Sequence, residues 1–255
     1  MKFKKILFSV SVPFLMFANS CEKKNTPSPE PVPNYDSGQV RLVVESMFNN
    51  SILTSLAPTT DKTWDNRSIT ITNAQIYLSN FGFEELHSER SNILPTPFIL
   101  NTLDNNIHDL GYAPVKPYKQ INLYTGIDDI TNNQPNTYSP QLNNPSMWFD
   151  TVNHTMKYVH IRITGLVDTS RNKNGLIDAP FDIKLGGSYN QPITLSTNTP
   201  AVAKNRVNTI SIAVNYAEII RGLDLSDPRS RDFTSPARGV EYSNILVPNL
   251  QFAIK

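Results

Sequence analysis

The chain has 255 residues, which at about 150 residues per domain allows one large domain or two small ones. Its 23 Lys and Arg against 22 Asp and Glu leave a net charge of +1, so no whole-molecule field favours nucleic acid or an anionic membrane surface. One cysteine excludes a disulfide scaffold and a cysteine zinc cluster, and 28 Asn with 19 Pro argue against a helical bundle.

The first elements in the chain concern address. Lys2, Lys4 and Lys5 precede an apolar stretch from Ile6 to Ala18, the layout of a signal peptide and too short to span a bilayer as a mature helix. It ends in Ala18-Asn19-Ser20-Cys21, which resembles a relaxed lipobox of Bacteroidetes-type lipoproteins. That resemblance implies acylation of Cys21 and a protein held to the bacterial envelope by lipid. Residues 1–20 then form the signal peptide, and their loss leaves 20 basic against 22 acidic residues, a mature charge of −2. Residues 21–37, with Pro27, Pro29, Pro31 and Pro33, read as an extended tether.

From residue 38 onward the informative segments alternate apolar and polar with period two, the mark of half-buried strands. In chain order they centre on Val40-Val44, Ile69-Ile71, Ile121-Leu123, Val159-Ile163, Phe181-Leu185, Ile210-Tyr216 and Leu250-Ile254. Seven such runs with turn residues between them predict an all-β fold over residues 38–255: an antiparallel β-sandwich, Ig-like or related, with long loops and little helix. The one helix expected is a short turn over Tyr216–Arg221, stopped by Gly222. Long connections are expected around residues 86–118 and 128–156.

Catalytic patterns are sparse. There is no Gly-x-Ser-x-Gly, no dinucleotide fingerprint and no phosphate loop, so an enzyme is not expected. Glu84-Glu85 and Asp128-Asp129 are adjacent pairs that read as solvated charges. His87, His108, His154 and His160 lack zincin spacing. By strand parity His160 should face solvent or a cross-strand neighbour, with His154 on the preceding loop. Residues 168–178 carry Asn172, Asn174 and Gly175 at calcium-loop spacing but lack its carboxylate ends, so a hairpin connection is the better reading.

Five segments, in order, resemble the MbnP-like domain, a family named for a copper-binding protein associated with methanobactin and common in Bacteroidetes lipoproteins. They are Ile69 to Phe81 with Tyr77, Ser79 and Asn80; Tyr118 to Asp128 with Gly126; Leu142 to Trp148 followed by Tyr158 to Gly165; Phe181 to Gly187; and Ile210 to Asn215. The resemblance implies a β-sandwich envelope protein that binds copper, some members using histidines and a tryptophan oxidised by a dihaem peroxidase-like partner. His154 and His160, which could share a metal only if the chain bends between them, are the metal candidates beside it, and Trp148 is the aromatic open to oxidation or stacking. The resemblance also places Lys184 where the family has a histidine, a cation in a cation's place.

Two readings follow from the sequence. One is a lipid-anchored, non-catalytic envelope protein holding copper or another metal through the remaining histidines. The other is a metal-free module whose loops, with Tyr112, Tyr118, Tyr138 and Trp148, bind a protein partner or glycan.

Overall fold

The computed structural model describes residues 36–87, 91–149, 158–187, 191–196, 201–233 and 235–255. Cys21, the signal segment, the prolines of the tether and His154 lie outside them. In chain order the strands are β1 (Ser37–Phe48), β2 (Ser51–Ile52), β3 (Thr59–Lys62), β4 (Ser68–Glu85), β5 (Ser91–Ile93), β6 (Phe98–Asn101) and β7 (Ile107–Pro114). They continue with β8 (Tyr118–Thr125), β9 (Val159–Val167), β10 (Ala179–Gly186), β11 (Gln191–Ser196), β12 (Val207–Asn215) and β13 (Gln251–Ile254). Among the described residues the α-helices are α1 (Asp129–Asn132), α2 (Ala217–Arg221) and α3 (Pro236–Leu246).

The strands form two sheets. One runs β13-β12-β1-β2, with β7 also paired to β1; the other runs β10-β9-β4-β8-β11, with β3, β5 and β6 added along β4. Parity governs which face packs inward. Along β1 every second residue is buried, from Gly38 through Val40, Leu42, Val44 and Ser46 to Phe48. Opposite them stand Ile69, Ile71, Ala74, Ile76 and Leu78 of β4 and Ile161 and Ile163 of β9, all essentially sealed from solvent. Each such aliphatic side chain contributes about 1.5–3 kcal/mol through burial.

All seven predicted strands are present and the fold is all-β, but three features depart from the expected pattern. The β1–β12 pair is parallel, from Gln39 beside Val207 to Met47 beside Asn215, so the sheets are not wholly antiparallel. The connection over 86–118 contains β5, β6 and β7 rather than an unstructured loop. Helix α3, absent from the sequence reading, packs on β10; Gly239 in its middle would destabilise it alone, and tertiary contact holds it. The hairpin expected over residues 168–178 does join β9 to β10, with Val167 paired to Ala179.

The connection after β8 lies across the outer face of the second sheet. Its residues Ile127, Leu142, Met147, Trp148 and Phe149 form a second apolar cluster with Tyr77, Phe98, Leu100, Tyr158 and Val159. The middle of β4 is therefore buried on both faces, which is why Tyr77 and Ser79 are as inaccessible as Ile76 and Leu78.

Candidate functional site

The site implied by Trp148 and Lys184 lies under this covering segment. Asp128 caps α1, its Oδ1 accepting from the Thr131 N–H at 2.9 Å and its Oδ2 from the Thr131 hydroxyl at 2.7 Å. Asp128 is thus a helix cap rather than a solvated loop charge. The Glu84-Glu85 pair is also engaged, Glu84 with Lys119 and Glu85 with Lys116, on a partly buried strand end. Asn132 donates to the Gly187 carbonyl at 2.7 Å and accepts from the Tyr158 N–H at 2.9 Å, tying α1 to both ends of the β9–β10 hairpin arms. The Tyr77 hydroxyl donates to the Gln141 carbonyl at 2.7 Å, and that of Tyr158 to Gln134 at 2.9 Å. Burial pushes both phenols above their ordinary range, so they stay protonated donors.

Trp148 is 7% exposed, and its indole N–H donates to the Leu142 carbonyl at 2.8 Å. The ring packs in the outer cluster and is not presented for stacking at the surface. Trp148 also bridges to Tyr158, closing the covering segment onto the start of β9.

Lys184, 8% exposed on the outer face of β10, donates from Nζ to the Trp148 carbonyl oxygen at 3.1 Å. Beside it on β9, Arg162 makes a two-pronged pair with Asp182, Nε to Oδ1 at 2.9 Å and Nη2 to Oδ2 at 2.8 Å, and also donates to the Ser146 carbonyl. The Ser146 hydroxyl donates to Gln75 Oε1 at 2.8 Å. Asp232 approaches through a backbone bridge to Asp182. Two cations and two carboxylates thus share the site, and they balance. Burial lowers the Lys184 pKa, opposed by Asp182, reinforced by Arg162 and opposed again by Asp232.

The described histidines form no metal-binding group with the acidic side chains here. His160 is 2% exposed rather than facing solvent. Pairing between β9 and β10 steps from Ile161–Leu185 to Val159–Gly186, so His160 is the extra residue of a bulge and simple alternation fails there. His108 is also buried rather than superficial: its Nε2 lies 3.2 Å from Asn101 Oδ1, and Asn101 donates to the Ser46 hydroxyl at 3.3 Å, between the sheets. Among the described histidines only His87 is exposed. Tyr118 is buried, while Tyr112 and Tyr138 are exposed and line different depressions. The four aromatics of the alternative reading therefore do not make one surface.

A profile of the MbnP family matches residues 37–235, well over half of the chain. The chain belongs to the MbnP family. Among solved structures, MbnP from Methylosinus trichosporium superposes with a TM-score of 0.53 at 11% identity, covering 86% of this chain and 99% of that one. At that identity the match speaks for the MbnP fold alone. No curated protein sequence matches.

Beside Trp148 the described residues of this MbnP domain do not fit the copper that the sequence resemblance implies; the candidate ligand His154 lies outside them. Among them no three His, Cys, Asp or Glu side chains gather as a metal-binding group. The place beside Trp148 is taken by the Lys184 ammonium, and Arg162 already engages both carboxylate oxygens of Asp182, so neither group stands ready as a ligand for a divalent ion. One aromatic passed over in the sequence lies elsewhere: Trp64, on the turn between β3 and β4, is 66% exposed.

Proposed function

We propose that this MbnP-family protein is a lipid-anchored, non-catalytic protein of the bacterial envelope that works as a metal-free binding module. The observation that carries the reading is the Lys184 ammonium on the Trp148 carbonyl. It supplies, from the chain itself, a positive charge beside the tryptophan. The charge-balanced group of Lys184, Arg162, Asp182 and Asp232 fastens the covering segment and α3 region to β10 without an added ion. With no copper at this place, the reading assigns no dihaem redox partner to Trp148.

Envelope attachment rests on the basic, apolar and small-residue pattern ending at Cys21. Among the described residues no helix is long and apolar enough to cross a membrane. The test is the full chain expressed in a lipoprotein-processing bacterium and measured as intact mass with metal content. The expected product starts at an acylated Cys21, retains an unmodified Trp148 and carries no stoichiometric metal. A Cys21→Ser chain should appear in the soluble fraction. Stoichiometric copper, or a Trp148 mass increase from oxidation, would overturn the metal-free reading; membrane retention of Cys21→Ser would overturn the anchor.

A further inference from the structure

Trp64 stands on a turn that is braced far beyond what an ordinary surface loop shows. Thr63 N–H donates to the Arg67 carbonyl at 2.9 Å, and Asn66 N–H to the Thr63 carbonyl at 2.9 Å, with Asn66 in the left-handed region at φ 68°. Asp65 accepts from the Thr63 hydroxyl at 2.6 Å and from Arg67 Nε at 2.9 Å, and Lys173 reaches it from the β9–β10 loop at 3.4 Å. Arg67 also donates to the carbonyl of Ser170 at 2.9 Å. This framework leaves the largest apolar side chain of the turn two-thirds exposed. Folding gains little from an indole in that position, whereas a ligand would meet it at low ordering cost.

The ring borders a depression of about 130 Å³ at the C-terminal ends of the parallel strands β1 and β12. Phe48 and Ile220 form its floor, and Asn49, Lys62 and Arg221 its rim. Asn49 is held by both backbone bonds to Asn215, at 3.1 and 3.2 Å, and donates from its amide to the Lys62 carbonyl at 3.0 Å. Two cationic residues and no carboxylate line the depression; the Lys62 ammonium donates to the Ser68 hydroxyl at 2.7 Å and Arg221 pairs with Glu218 at 3.0 Å, each with further donors left over. The space is well below the 300 Å³ or more typical of drug-sized ligands, so it suits one ring of a longer molecule.

We propose that this depression binds an acidic saccharide, one pyranose ring lying with its C–H face on Trp64 and its carboxylate toward Arg221 and Lys62. A sugar ring offers one apolar face and an edge of hydroxyls, which matches an indole wall with an amide and two cations around it. Location agrees: Ser37, where the preceding segment joins the domain, is at the other end of β1, and eleven residue steps at about 3.3 Å put the depression roughly 36 Å away. A ligand there meets the end of β1 opposite to Ser37. The proposal goes beyond the metal-free reading and stands whether or not that reading does.

The two tryptophans differ enough to serve as probes, Trp148 buried and Trp64 open to a quencher. Tetragalacturonate added to the full chain should protect the accessible tryptophan from acrylamide, and neutral cellotetraose should not. Saturation-transfer NMR should show the same acidic ligand bound to wild type and not to Trp64→Ala, with binding to Arg221→Gln about tenfold weaker. Both side chains are exposed, so the variants should melt with wild type. Unchanged binding by Trp64→Ala, or no protection by tetragalacturonate, overturns the site; equal protection by cellotetraose overturns its acidic preference. Protection by phosphatidylglycerol vesicles but by neither sugar would make the surface a lipid contact and also overturn the proposal. Copper measurements have no bearing on any of these outcomes.

Discussion

The Nζ of Lys184 donates to the backbone carbonyl of Trp148 at 3.1 Å, so a strand of the second sheet holds the end of the segment that covers it. Two opposing effects meet in that bond. Burial disfavours the ammonium, as the lowered pKa of Lys184 indicates, while its hydrogen bond satisfies a carbonyl in an apolar cluster. Lys184→Met, which keeps the stem and removes the charge, should therefore change stability by about 1 kcal/mol or less. Lys184→Ala should cost about 2–4 kcal/mol, because the buried four-carbon stem is lost as well. Urea unfolding of both variants checks this, and a large loss in the methionine variant would show that the charge dominates.

Gly239 sets how closely α3 approaches the same strand. A Cβ there would lie 2.4 Å from the Phe149 ring and 2.5 Å from the Lys184 carbonyl oxygen. Alanine improves intrinsic helix propensity by about 1 kcal/mol, but the backbone carbonyl cannot swing aside as a long side chain would. Gly239→Ala should be net destabilising by about 1–3 kcal/mol, with the near-ultraviolet signal of Phe149 and Trp148 altered. Thermal and urea unfolding decide the sign.

Acid sensitivity should centre on His108. Burial lowers its pKa to about 4, against a hydrogen bond with the Asn105 backbone that favours the charged ring. The unfolded chain takes up this proton near pH 6.5 and the folded one near 4, so the stabilising contribution is complete above about 6.5 and is lost as pH falls to about 4. Asp168 acts lower: the Ser170 hydroxyl, against burial, and the N–H groups of Gly175 and Ser170 hold its carboxyl below the ordinary range. Denaturation midpoints should therefore decline between pH 6.5 and 4 in wild type and decline less in His108→Gln.

The strands were legible because alternation along β1, β9 and β12 is a local signal of burial. The family resemblance singled out Trp148 and Lys184 separately; that they touch is visible only in the structure. What escaped the sequence depends on contacts made far along the chain. His160 sits on a bulge that breaks parity, and nothing in Tyr158-Val159-His160-Ile161 marks it. Tyr77 and Ser79 alternate with aliphatics as if half-exposed, yet a segment some sixty residues later covers them. Parallel pairing of β1 with β12 joins residues about 170 apart, and α3 lacks a clear apolar stripe and carries Gly239. Trp64 had a signal, a large aromatic between Thr63 and Asp65 in a turn-forming run, where an apolar ring has no core to join.

Copper stoichiometry tests the central claim most directly. Full-length wild type incubated with copper in both oxidation states, desalted and analysed for metal should retain well under one copper per chain, with Lys184 and Arg162 keeping a cation out of the place beside Trp148. One tightly held copper per chain, released by His160→Ala or His154→Ala, would contradict the account.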